Sequence, residues 1–321
     1  LCPLYAQQPV NPELGVYPDD DEFGETPEQY IGDIVVTGGI VQQVSPLIIE
    51  IETTQGPREL MIVDTALRPE VGDKVRVFGI LTAAGTVRSL NGFVVPRTGR
   101  WYAWGISFLA GLWVLTRLIR HWTVDWTRIR FQRRDTPISL RDVGSRLRLE
   151  GIEMPDLLAH VFIAYSVCRI LSWRLSWLTN QYITLGMVGA FIPDLVKIKL
   201  VIPDWRVEQF LEVPFSWESF TTGGGVLLST LIGVVLLSAT ERRKGGTVLA
   251  LGALTHLIAD SLLRTPTGRS TQLLWPITQY TTPTPGLYLS TQPEPTIVTG
   301  GCAILVWGIH QYRVKDSKAE S

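Results

Sequence analysis

The sequence predicts a small all-β, OB-like barrel followed by an all-α polytopic membrane domain of five to six transmembrane helices. Three observations carry this. Residues 31–97 hold five short, β-branched runs punctuated by Gly, Pro and Asp. Several apolar runs after residue 100 approach or reach bilayer length. And 45% of the 321 residues are hydrophobic against 18% charged, with a positive mean hydropathy, which is too apolar for an ordinary soluble protein of this size. The formal net charge of −1 gives no global attraction to nucleic acid. Cys2, Cys168 and Cys302 are far apart and form neither a disulfide framework nor a zinc-knuckle spacing.

The opening LCPLYAQQ fits the tail of a removed signal or anchor segment. Residues 1–30 include the run Asp19–Glu22 and are rich in Pro, Asp, Glu and Gly, so they read as a disordered, solvated acidic arm.

In residues 31–98 the strand candidates are Ile34–Val36, Leu47–Ile51, Leu60–Val63, Lys74–Leu81 and Thr86–Val95. VGDKVRVFGIL alternates most clearly, with Gly72-Asp73 as the turn before it. Five short strands suggest a small closed barrel. Phe78 and Phe93 are its aromatic residues in these runs and its basic residues are scattered, so the barrel reads as a contact module for a membrane-protein partner, and no nucleic acid is expected.

Residues 101–122 are the first spanning helix, with Trp101, Tyr102 and Trp104 at one end and Trp122 and Trp126 at the other. From Trp101 to Trp122 the rise is roughly 32 Å, about the hydrocarbon thickness. A basic linker, 123–150, follows with Arg128, Arg130, Arg133, Arg134, Arg141, Arg146 and Arg148. The positive-inside rule puts it in the cytoplasm and the barrel outside.

Residues 151–312 then carry five more apolar runs. Met154-Pro155-Asp156 opens the run 157–173, with His160 near its start. The next is Tyr182–Ile192, ending in Pro193-Asp194, with Leu195–Ile202 as an extension. Then come Gly223–Ala239, Leu249–Leu263 and Thr296–His310, and the polar tail 313–321. A Thr/Pro-rich loop, 264–293, is long enough to cover a site.

The most informative run is LALGALTHLIADSLL. His256 and Asp260 lie four residues apart on one helix face, and ionisable groups inside a membrane helix are expensive enough to be functional by default. If the apolar runs pair as hairpins, His160, Asp194, Thr221/Thr222 and His256/Asp260 meet at one membrane face. Two imidazoles with two carboxylates suit zinc or manganese, and a metal-activated water cleaves esters or phosphoesters. The bland reading is a hydrogen-bonded His–Asp pair pinning two helices. A phosphate loop at Gly223–Gly225 lacks the following Lys-Ser/Thr, and a Ser219–His256–Asp194 triad lacks a strand–turn–helix setting.

MPDLLAH, GAFIPD and ALTHLIAD resemble the ordered motifs of the prokaryotic membrane-bound metal-dependent hydrolases of the YdjM-like group, described as LexA-binding, inner membrane-associated hydrolases. The resemblance spans about residues 150–312. It implies a metal held by His160, Asp194, His256 and Asp260, with His256 and Asp260 catalytic. Where that family usually has an HRGxTHS-like stretch, this chain reads PFSWESFTTGGG, with Ser219, Thr221 and Thr222 in place of histidines.

Two readings follow. One is a membrane-bound metal-dependent hydrolase acting on a lipid or phosphate ester at the interface. The alternative is a catalytically degenerate structural or partner subunit of a membrane complex. Six crossings place the site beside the first arginine stretch and Arg242–Lys244 on the opposite side. Five crossings place every basic cluster in the cytoplasm and the site outside with the barrel.

Overall fold

The structure is a computed structural model that describes residues 1–53, 56–136 and 157–319. Arg141, Arg146 and Arg148 of the basic linker, and the helix entry Met154-Pro155-Asp156, lie outside these residues.

Five strands form the N-terminal unit: β1 (Ile34–Gln43), β2 (Leu47–Thr53), β3 (Gly56–Val63), β4 (Lys74–Ala83) and β5 (Thr86–Val95). They close in the order β1-β2-β3-β5-β4, antiparallel except for the β3–β5 pair. Alternation does the folding: Val35, Val41, Ile49, Ile51, Leu60, Ile62, Val75, Val77, Leu81 and Val87 all turn inward and are buried. Each such side chain contributes about 1.5–3 kcal/mol of burial. β1 runs well past the expected Val36 because Gly38 and Gly39 continue it. A Cβ on Gly39 would meet the Glu50 carbonyl of β2, so the glycine permits the close strand approach there.

The expected solvated arm is instead built into the fold. α2 (Asp20–Glu25) packs on β1 and β2, while α1 (Cys2–Ala6) packs away from the barrel, with Tyr5 edge-on to Trp275 at 5.3 Å. Asp19 caps α2 in a capping box with Glu22, and Phe23 is 1% exposed within the barrel core. Asp20 accepts from Thr37 Oγ1 (2.5 Å) and from the Gly38 N–H (3.1 Å). Composition hid this because one buried aromatic and a few side-chain-to-backbone bonds suffice to dock a polar segment.

α3 (Arg97–His121) leaves the barrel as 25 residues, about 37 Å of helix. Among the described residues it is the one helix both long and apolar enough to cross a membrane by itself. Its end turns into a hairpin where a linker was expected: β6 (Trp122–Asp125) pairs with β7 (Arg130–Arg133). Asp125 closes the turn by accepting from the Thr127 N–H and hydroxyl.

The helical unit comprises α4 (Leu157–Leu171), α5 (Asn180–Gly189), α6 (Asp204–Leu211), α7 (Gly223–Leu236), α8 (Arg242–Asp260) and α9 (Glu294–Ala319). α5 is its centre, with Tyr182 to Met187 all buried, packed by α3, α4 and α8. The apolar run does not extend through Pro193 as one helix. Residues Pro193–Leu200 form a 3-10 helix, because proline removes a backbone donor and clashes with the preceding turn.

The ends of the unit are distinct. At one end Trp122 Nε1 donates to the Gln181 carbonyl (3.1 Å), Arg133 faces Glu241 (3.7 Å), the Ser238 N–H donates to the Phe131 carbonyl (3.0 Å) and Arg169 Nη2 donates to Asn180 (2.6 Å). At the other end lie the start of α4, the ends of α5 and α8, the loop 264–293 and the barrel. Arg133 of the arginine stretch sits with Glu241, beside Arg242–Lys244, and His256 lies about 21 Å along α8 from Arg242, at the barrel end.

Candidate metal centre

At the barrel end, three donors from two helices meet. His160 comes from the first turn of α4, and His256 and Asp260 from the last turns of α8. Their ligand atoms all lie within 4.8 Å of one another. His160 Nε2 is 3.4 Å from Asp260 Oδ1, and His256 Nε2 is 3.0 Å from Asp260 Oδ2. The imidazoles stack 3.7 Å apart and 8° from parallel. They are 4% and 1% exposed. Asp260 therefore addresses both rings with one carboxylate.

The closeness of α5 and α8 sets this geometry. A Cβ on Gly252 would meet the Gly186 carbonyl, and one on Gly189 would meet the Leu249 carbonyl. Glycine at these positions lets the two backbones touch. The Ala190 carbonyl at the end of α5 thus reaches His256 Nδ1 at 2.6 Å. A carbonyl only accepts, so Nδ1 carries the proton. That leaves Nε2 to serve as a metal donor, or to carry a second proton toward Asp260 when no cation is there.

Asp194 follows α5 at the start of the 3-10 helix. Its Oδ1 is 4.0 Å from His256 Nε2 and 2.6 Å from Lys197 Nζ. It is near the cluster but held by an ammonium group, so the expected fourth ligand is engaged elsewhere. Two buried atoms here make no hydrogen bond among the described residues: His160 Nδ1 and Asp194 Oδ2. An unsatisfied buried carboxylate oxygen is costly, and a divalent cation among two imidazoles and two carboxylates would offset that cost.

Ser219, Thr221 and Thr222 do not join the cluster. Thr222 Oγ1 accepts from the Gly225 N–H and caps α7. Thr221 donates to the Glu218 carbonyl, and Ser219 to Cys2 Sγ. The Ser219–His256–Asp194 triad is thereby excluded. Sequence reading missed the Ala190 carbonyl, Lys197 and the three glycines. Gly186-x-x-Gly189 and Gly252 were the available signal, as small residues spaced for close helix packing. The loop 264–293 does close over the end of α8: Tyr288 Oη donates to the Ala259 carbonyl (2.8 Å) and Thr284 Oγ1 to the Leu263 carbonyl (2.7 Å).

The family model for the YdjM inner membrane protein matches residues 154–315, which contain the whole cluster. The chain belongs to this family. A second family, halobacterial membrane-associated OB-fold-like proteins, matches residues 14–151. The family names agree with a membrane-associated chain whose N-terminal part is OB-like and whose C-terminal part is helical. No curated protein and no solved structure matches the chain.

Proposed function

We propose that this is a multi-pass membrane protein carrying a metal-dependent hydrolase-like centre that acts on a lipid or phosphate ester at the membrane interface. The observation that carries the reading is the buried His160–His256–Asp260 cluster. A buried polar cluster inside an apolar helical unit has a large desolvation cost and is hard to explain as packing. The proposed layout is a barrel at 31–98, a span at 101–122 and a membrane-embedded domain at 151–312, ending in a polar tail. Exposed apolar stripes support the bilayer as partner. Leu227, Leu231 and Val235 line α7 at helical spacing, and Ile297, Ile304 and Leu305 lie on α9.

In this reading His160, His256 and Asp260 would hold zinc or manganese, with Asp194 joining through its free Oδ2, and the cation would supply Lewis acidity toward an ester. His256 is oriented by Ala190, Asp260 fixes both imidazoles, and the loop 264–293 limits water at the cluster. The positive-inside rule puts the arginine end in the cytoplasm, so the cluster and the barrel face outward.

The second reading is a degenerate scaffold that uses the barrel to hold a membrane-protein partner. It is favoured by Asp194 pairing with Lys197, and by Thr222, a helix cap, and Thr221, bonded to the Glu218 carbonyl, standing where the family's histidines are expected. One experiment separates the two: metal content of the detergent-purified protein beside His256→Ala. Near-stoichiometric zinc or manganese in the wild type alone, with phosphoester hydrolysis lost in the variant, is the expected result. No metal in either, even after reconstitution, would overturn the hydrolase reading.

A further inference from the structure

A second built feature lies between the barrel and the loop 264–293. It is a cavity of about 460 Å³, and its wall carries Lys74 and Arg76 from β4 together with Arg264 and Arg269 from the loop. These cations looked scattered in the sequence, and two of them come from a segment 190 residues away. None of the lining residues is acidic. Asp20 is one carboxylate that acts with Arg76, and the Lys199 ammonium adds a further positive charge near it. Apolar side chains stand beside these cations: Phe93 and Val95 of β5 pair across the strands with Arg76 and Lys74, and Ala103 in the first turns of α3 and Leu263 add to the lining.

The arrangement is assembled, not incidental. Asn91 Nδ2 donates to the Pro266 carbonyl (2.9 Å) and ties the barrel to the loop. The Arg264 guanidinium lies 5.9 Å over the Phe93 ring, and Arg269 Nη1 donates to the Thr281 carbonyl (3.0 Å), so both cations are held in place. Like charges brought together on one wall repel unless an anion joins them, and guanidinium groups match phosphate oxygens with paired donors. The apolar lining continues to Ala103 in the first turns of α3, the helix read above as the span, so the cavity lies at the end of that helix, where a ligand with an apolar portion would meet it.

We propose that the cavity binds a phosphate group, with Lys74, Arg76, Arg264 and Arg269 around the anion and the Phe93–Val95–Ala103 lining along the apolar part of a phosphate-bearing amphiphile. Base stacking is disfavoured here. Arg264 covers Phe93, and Tyr17 packs edge-on against Phe78 at 4.9 Å. The site does not rest on the metal reading, and its test reads binding with EDTA present.

The experiment titrates detergent-purified full-length protein with dioctanoyl phosphatidic acid, dioctanoyl phosphatidylcholine, inorganic phosphate and an oligothymidylate. The variant is Arg76→Gln/Arg264→Gln, two exposed positions that need not be intact for folding. Arg264→Lys retains the charge, and Arg206→Gln is a control for general charge loss. The expected result is saturable binding of phosphatidic acid over phosphatidylcholine, weakened about tenfold or more in the double variant, largely kept in Arg264→Lys and unchanged in Arg206→Gln. Equal binding of inorganic phosphate, with the same variant pattern, supports the anion site and identifies a free phosphate as its source. Phosphatidic acid binding that is equal in wild type and double variant, phosphatidylcholine binding as tight as phosphatidic acid, or tighter oligothymidylate binding lost in the variant would each overturn the proposal.

Discussion

His256 donates its Nδ1–H to the Ala190 carbonyl across 2.6 Å, and this bond couples the site to the packing of α5 against α8. The coupling depends on Gly252, where a Cβ would meet the Gly186 carbonyl. Gly252→Ala should therefore destabilise the protein by about 1–3 kcal/mol through overpacking and lower its metal content. Gly308→Ala, on α9 with open space around it, should be neutral or stabilising by up to about 1 kcal/mol through helix propensity. Thermal unfolding in detergent, with metal analysis of the same samples, checks both. Equal effects at the two positions would break the argument from close approach.

Lys197 Nζ lies 2.6 Å from Asp194 Oδ1, where it competes with any cation for that carboxylate. Lys197→Met should tighten metal retention, on the order of tenfold, by removing the competing charge. Competition with a chelator measures it. A weaker grip in the variant would mean that Lys197 positions Asp194 for binding rather than displacing a ligand.

The docked acidic arm predicts a pH dependence. Burial pushes the Asp20 carboxyl up to about 6, above its ordinary value in an unfolded chain. Between that ordinary value and about 6 the folded state holds a proton that the unfolded state has lost. The arm's contribution is thus greatest at low pH and falls as pH rises through 6. Burial raises Asp21 and Glu22 as well, so they act in the same direction. Proteolysis at the arm should be faster at pH 7.5 than at pH 5 after correction for protease activity, and Asp20→Asn should shrink the difference. A pH-independent rate would refute it.

The β6–β7 hairpin and Arg242–Lys244 share an end of the helical unit, since Arg133 faces Glu241 at 3.7 Å. Single cysteines replacing Arg130 and Arg243, in a chain whose native cysteines are serine, should both be protected from an impermeant thiol reagent in intact cells. A cysteine at Leu90 on the barrel should be modified. Labelling at Arg243 without labelling at Arg130 would contradict the shared end, and labelling of both with Leu90 protected would invert the proposed orientation.

Much of the fold is local and therefore legible. Alternation in VGDKVRVFGIL marks β4 because side chains in a strand point to opposite faces. Apolar runs flanked by tryptophans mark α3 and the later helices. The His256–Asp260 pair is readable because four residues make one helical turn. The docked arm was not readable, because Phe23 finds its core only once the barrel exists. Nor was the β6–β7 hairpin, since its strands are four residues each and its composition is that of a basic linker.

The sequence by itself determined the two-part architecture and the residue types of the centre, because these follow from periodicity, hydropathy and short motifs. Only the tertiary structure decided which ends lie together. It placed Arg133 beside Arg242–Lys244 and the cluster with the barrel. It set Lys197 on Asp194, and gathered Lys74, Arg76, Arg264 and Arg269 around one cavity. The physical reason is that these relations depend on where helices and loops pack, which is fixed by contacts such as Gly252 on Gly186 and Asn91 on Pro266 between residues far apart in the chain.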